Sequence, residues 1–200
     1  MERGDLAAVV RFGYSAITTD RELLVWGGLF GPGGSGSRTQ GVRYDPAEQE
    51  WRPMARSPLE DRAGHSAVWT GEELIVWGGD RRSDGAAYDP ASDSWRAIAA
   101  APLRGRSDHT AIWTGDEMVV WGGATGHRAK DFELLSADGA AYDPETDAWR
   151  RIATAPVRSR EGHKGTKALW TGDAVLVWTG AGGATSDRTA TPGGASRTRR

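Results

Sequence analysis

The chain contains no cysteine, which removes disulfide bridges, thiolate metal sites and cysteine nucleophiles but leaves every redox compartment open. No stretch approaches the roughly 18 consecutive apolar residues of a membrane helix, and residues 1–10 (MERGDLAAVV) have too short an apolar core for an export signal. A soluble protein, cytoplasmic by default, is the expectation. Charge of one sign is missing too: the formal net charge of -2 gives no chain-wide attraction to nucleic acid or anionic membrane. Phenylalanine and methionine are scarce, at three each, whereas tryptophan reaches 10 and glycine 28. The placement of those two residue types organises the chain.

Trp26-Gly27-Gly28, Trp77-Gly78-Gly79 and Trp121-Gly122-Gly123 recur, and Trp178-Thr179-Gly180 is a degraded fourth copy. Tyr44-Asp45-Pro46, Tyr88-Asp89-Pro90 and Tyr142-Asp143-Pro144 are each followed, seven positions after the tyrosine, by Trp51, Trp95 and Trp149. Pro58, Pro102 and Pro156 lie seven further on, then Arg62, Arg106 and Arg160 four beyond each proline, then His65, His109 and His163 three beyond each arginine. The first unit keeps the frame with Arg11 and puts Tyr14 in the histidine slot. So many landmarks in constant register define an internal repeat.

Strands, not helices, fit these units. HSAVWTGEELIVWGG (residues 65–79) holds two runs rich in β-branched and aromatic residues, split by the hairpin turn Thr70-Gly71-Glu72. Asp-Pro stops the third run, because proline donates no ladder hydrogen bond while the aspartate bonds its own downstream backbone. The fourth run opens at the tryptophan. In the second unit the strands A to D are expected at about 65–70, 73–78, 85–89 and 94–98. A lone four-stranded sheet leaves a face uncovered, so stacking such sheets radially, with aromatic side chains filling the gaps, is the architecture the pattern predicts.

The double glycine, the spaced Tyr and Trp and the Arg-x-x-His entry, over about residues 11–180, resemble the kelch motif, whose period is about 50 residues. That resemblance implies an all-β propeller with strand A lining a central channel, B–C and D–A loops on one face and A–B and C–D turns on the other. The expectation is an arc of three complete four-stranded blades (about 11–61, 62–105 and 106–159) and a half blade (160–182) with strands A and B only. Residues 183–200, poor in apolar side chains, are expected as a disordered tail. Residues 1–10 hold no copy of strand C or D, so both ends of the arc are left open. Self-association or a completing partner, a product cut from a longer kelch protein, and an arc working alone are the three outcomes.

Candidate chemistry is sparse. His65, His109 and His163 share one repeat position and invite a metal-site reading, but their periodicity marks a blade-entry feature, and no metal is expected. Arg11, Arg62, Arg106 and Arg160 suit the capping of carbonyls between blades. The aspartate-rich turns lack calcium-loop spacing, and residues 31–37 (GPGGSGS) lack the Lys-Ser/Thr of a phosphate loop. Among kelch-like enzymes, the galactose oxidase type needs a cysteine-crosslinked tyrosine, absent here, and sialidase Ser-x-Asp-x-Gly-x-x-Trp boxes are missing; a sialic-acid epimerase of kelch type stays open. No catalytic residues and no cofactor are nominated.

Charge divides between the two faces. The A–B and C–D turns carry Asp20, Glu22, Glu48, Glu50, Glu72, Glu73, Asp93, Asp116, Glu117, Glu145, Asp147 and Asp173, almost unopposed by base. The D–A and B–C loops carry Arg81, Arg82, Arg104, Arg128, Lys130 and Arg158, the candidate ligand-binding residues, among fewer acids. An acidic peptide, another protein or an anionic saccharide at that loop face is the expected partner, with the insert 126–136 as a specificity element. A non-catalytic binding module or a fragment of one, with self-association through its open ends as a further expectation, is the first reading, and a remnant or subunit of a kelch-type carbohydrate-active enzyme the second.

Overall fold

The computed structural model describes residues 11–30, 41–128, 132–153, 167–178 and 184–187. Strands and turns make up the regular structure there, and among the described residues no helix is long and apolar enough to cross a membrane. Three antiparallel sheets of four strands follow one another, each ordered A-B-C-D. Blade 1 comprises Ser15–Thr18, Leu23–Trp26, Val42–Asp45 and Glu50–Pro53. Blade 2 comprises Ser66–Trp69, Leu74–Trp77, Gly85–Asp89 and Ser94–Ala97, and blade 3 Thr110–Trp113, Met118–Trp121, Gly139–Asp143 and Ala148–Ile152. The expected strands of the second unit fall within a residue or so of the observed ones.

Local chemistry sets the turns. The A–B turns are held by a threonine hydroxyl that accepts the backbone N–H three residues on, from Glu22 to Thr19, Glu73 to Thr70, Glu117 to Thr114 and Ala174 to Thr171, at 2.8–3.1 Å. In the C–D turns, Asp45, Asp89 and Asp143 accept N–H bonds from Ala47, Ala91 and Glu145 at 2.8–2.9 Å. That hairpin makes Tyr44 and Trp51, Tyr88 and Trp95, and Tyr142 and Trp149 direct cross-strand partners, with ring centroids 5.0–5.1 Å apart. The constant seven-residue spacing is therefore the length of the turn plus its flanking pairs.

Each blade grips the one before it. Trp95 of blade 2 lies 5.7 Å from Trp26 of blade 1, and Trp149 of blade 3 lies 5.6 Å from Trp77 of blade 2. Their indole N–H groups donate to the carbonyls of Ala55 (3.0 Å) and Ala99 (2.9 Å), where the preceding strand D exits. Asp93 and Asp147, left-handed at φ 48, accept the N–H of those same alanines at 2.8 Å while their carboxylates take the hydroxyls of Tyr88 and Tyr142. Burial and the bond to Asp147 push the Tyr142 phenol up to about 12. Three apolar cores result among the described residues: Leu24, Trp26, Leu74, Val76 and Tyr88 between blades 1 and 2, Ile75, Trp77, Met118, Val120 and Tyr142 between blades 2 and 3, and Val119, Trp121, Ala141, Val175 and Val177 between blade 3 and the fourth unit. The stacked-sheet architecture expected from the aromatic spacing is the one observed.

The fourth unit departs from expectation. Lys167–Trp170 and Val175–Trp178 form strands A and B, but Ala184–Asp187 pairs with strand B in the slot of strand C, so the sheet has three strands where two were expected and the expected tail supplies one of them. An unpaired strand-B edge recruits backbone whatever the side chains, which is why no Tyr-Asp-Pro signature marks it. Two further strand pairs involve B–C segments expected as loops: Leu29–Phe30 pairs with Arg11–Phe12, which precedes strand A of blade 1, and Ala124–Arg128 pairs with Phe132–Leu135.

Candidate functional site

The repeated arginine and histidine are blade couplings. The Arg62 and Arg106 side chains are fully buried. Each guanidinium caps a carbonyl of its own blade's double glycine, Gly78 at 3.2 Å and Gly122 at 2.8 Å, and pairs with a carboxylate, Asp84 at 2.7 Å and Asp138 at 2.9 Å. Their backbone carbonyls meanwhile accept the N–H of Gly28 and Gly79 in the preceding blade. His65 and His109 stand edge-on to Trp26 and Trp77 of the preceding blade, 4.9 and 5.0 Å between centroids, and bond Ser15 and Ser66 at 2.8 and 2.7 Å. A Cβ on Gly27 or Gly78 would sit 2.5 or 2.6 Å from the imidazole Cε1, so the first glycine of each pair makes room for the next blade's ring. Burial, reinforced by the neighbouring arginine, depresses the histidines to about 4 for His65 and about 3 for His109. Buried neutral rings bonded to serine are not a metal cluster, and none occurs among the described residues; His163 and Arg160 lie outside them.

Three candidate arginines of the loop face come together at the junction of blades 2 and 3. Gly79 to Arg82 form a tight turn, with the Arg82 N–H bonded to the Gly79 carbonyl at 2.8 Å and both central residues left-handed, Asp80 at φ 47 and Arg81 at φ 57. This turn lies against Gly105, where any Cβ would meet the Arg81 carbonyl at 1.9 Å, so Arg104 emerges beside it. Ser107 locks the arrangement. Its hydroxyl accepts the Arg81 N–H at 3.0 Å, and its backbone exchanges two bonds with Ala124, at 2.9 and 2.8 Å, at the base of the blade 3 hairpin.

The three guanidinium groups differ in availability. Arg82 is paired with Glu60. Arg81 and Arg104 are exposed, and neither side chain has an ion-pair partner among the described residues. A non-glycine left-handed residue costs on the order of 1 kcal/mol, a cost that Asp80 and Arg81 both carry in this turn. Arg128 falls in the strand Ala124–Arg128, its side chain outside the described residues, as are Lys130 and Arg158. Asp108, next to Ser107, is exposed and left-handed at φ 54 in the slot that Gly13 and Gly64 fill in blades 1 and 2. Backbone bonds from Asp108 to Gly64 (2.8 Å) and from Gly64 to Gly13 (3.3 Å) string these residues along the strand-A entries.

On the opposite face, a cleft of about 570 Å³ between blades 1 and 2 is lined by Asp20, Glu22, Glu72, Glu73, Asp89 and Trp69. Desolvation raises the Glu22 carboxyl above its ordinary value. The face is less acidic than the turn residues alone suggest, because strand-D arginines reach across to it: Arg96 holds Glu73 at 2.6 Å, and Arg150 holds Glu117 at 2.5 Å. In blade 1 the matching Arg52 folds back on Glu48 and Glu50, and Arg43, standing where blades 2 and 3 have Ala87 and Ala141, approaches Glu22 at 3.8 Å and donates to the Pro90 carbonyl at 3.0 Å. These arginines escape a count of turn charges because they lie on strands C and D; the repeat comparison of residues 43, 87 and 141 is the signal that finds Arg43.

Radially stacked four-stranded sheets joined by Arg-x-x-His entries and double glycines define a kelch-type β-propeller arc. The chain belongs to the KLHDC2/KLHL20/DRC7 Kelch-repeats domain family, whose model matches residues 13–190. Among solved structures it is similar to one described as the structure of YjhT, with a TM-score of 0.67 at 19% identity, covering 84% of this chain. The chain spans 58% of that chain's length. No curated protein matches it.

Proposed function

We propose that the loop-rich face binds an anionic ligand through Arg81 and Arg104, and that an anionic saccharide is its class. The supporting observation is Arg81 itself, a charged side chain in a strained left-handed turn, exposed with no ion-pair partner among the described residues and pinned through its N–H to Ser107. Local strain at a rigid loop is a reason to look for a ligand, and guanidinium groups suit carboxylate or phosphate. A saccharide that carries a carboxylate or phosphate offers the anionic group that these arginines suit.

On this reading the chain is part of a kelch propeller of the carbohydrate-active kind, the sialic-acid epimerase type being its example. The likeness to YjhT supports the scaffold, at the level of fold. A pure binding module that presents the same arginines to an acidic partner is the second reading, favoured by the absence of a nucleophile, base and orienting group in mutual contact among the described loop residues. Calorimetric titration with glucuronate, glucose and inorganic phosphate tests the site. Binding of the two anions, weakened about tenfold or more in Arg81→Glu, a loss of about 1.4 kcal/mol, is expected; equal affinity in wild type and variant refutes it. Proton NMR of sugar interconversion separates turnover from binding.

A further inference from the structure

All three large apolar side chains exposed among the described residues lie on the two end faces of the arc. Tyr14 is 50% exposed, Trp51 39% and Leu169 51%. Their repeat slots are covered inside the arc. Tyr14 holds the place of His65 and His109, and Trp51 that of Trp95 and Trp149, the residues with which a blade grips its predecessor. Leu169 holds the place of Val68, 6% exposed, which packs toward the following blade.

The same contrast runs through the neighbouring residues. Leu74, Val76, Ala86 and Tyr88 of blade 2 are buried against blade 1, whereas Leu23, Val25, Val42 and Tyr44, in the matching slots of blade 1, are only partly covered. Gln49, left-handed at φ 55, stands where Asp93 and Asp147 accept an N–H from the preceding blade, and its amide carbonyl can accept the same bond without a charge. The Trp51 indole N–H, unlike those of Trp95 and Trp149, has no hydrogen-bond partner among the described residues. At the other end, Leu169 and the half-buried Leu176 flank the register position of Trp178, which is the slot of Trp26 and Trp77.

We propose that copies of this chain associate head to tail, the Trp51 face of one seating on the Leu169 face of the next. One face is built to follow a blade and the other to be followed by one, and both continue an interface that the chain already makes three times within itself. Two different patches meeting in this way form a heterologous contact, which closes into a ring or extends. An isologous pairing of two Trp51 faces would set two gripping surfaces against each other, with no strand-B tryptophan for either to cover.

Sedimentation velocity across a range of concentrations, with Trp51→Arg and Leu169→Arg, tests this. Both side chains are exposed, so both variants keep the wild-type circular dichroism. Wild type should grow in mass with concentration, and each variant alone should stay monomeric. An equimolar mixture should stop at the heterodimer, because Trp51→Arg retains a sound tail and Leu169→Arg a sound head. A wild type that stays monomeric throughout, a variant that still self-associates, or a mixture that stays monomeric overturns the proposal.

Discussion

Acid should unfold this protein through its interblade histidines before its carboxylates titrate. His65 and His109 are buried neutral, at about 4 and about 3 against an ordinary value of 6.5. The unfolded chain therefore binds protons that the folded chain refuses, and stability is full above about pH 6.5, falls as pH drops through the window down to about 4 to 3, and levels below it. At about pH 5 an unfolded-state histidine is almost fully protonated and the folded one scarcely so, which costs about 2 kcal/mol per ring, or about 4 kcal/mol for the pair. That is a large share of the 5–15 kcal/mol that ordinarily separates folded from unfolded. Urea unfolding at about pH 7.5 and about pH 5 measures it, and His109→Gln, which retains a hydrogen-bonding group near Ser66, should halve the pH-dependent loss. A pH 5 loss of the same size in His109→Gln, or none in wild type, would refute the burial argument.

Two further outcomes follow from the repeat itself. Trp149→Phe strands the Ala99 carbonyl and should cost about 1 kcal/mol, whereas Trp51→Phe in the same repeat slot, with no bond to lose, should change monomer stability by a few tenths at most. Gly78→Ala adds a Cβ 2.6 Å from His109 Cε1 at φ +71 and should cost on the order of 2 to 3 kcal/mol; Gly71→Ala, at φ +106 with nothing within 4 Å, meets only the backbone penalty of about 1 to 2 kcal/mol, and chemical denaturation ranks the two.

Most of the arc was legible because each landmark performs one job at every copy. Tyr and Trp seven apart are cross-strand partners, Asp-Pro is a bonded turn, and glycine before the histidine-bearing blade is a space requirement. Periodicity therefore read out both the strands and the structural role of His65, His109, Arg62 and Arg106. What it could not reach was structure without a repeated side chain. Ala184–Asp187 joins a sheet by backbone pairing, and the blade 3 hairpin grows from a B–C segment of variable length. For the loop face, composition nominated arginines without saying which were spent: Arg82 is taken by Glu60, while the left-handed φ of Arg81 has no signature beyond Asp80-Arg81 standing in a turn. The acidic face was overstated for a related reason, since Arg96 and Arg150 belong to strands and only folding shows that they reach Glu73 and Glu117.

Chemical-shift mapping of glucuronate on the nitrogen-15-labelled chain addresses the functional claim most directly, because the two faces carry different amides. Shifts confined to Arg81, Arg82, Arg104 and Ser107 are the predicted result. Shifts centred on Thr19 to Glu22 and Glu72 in the opposite cleft, or none at all, would contradict it.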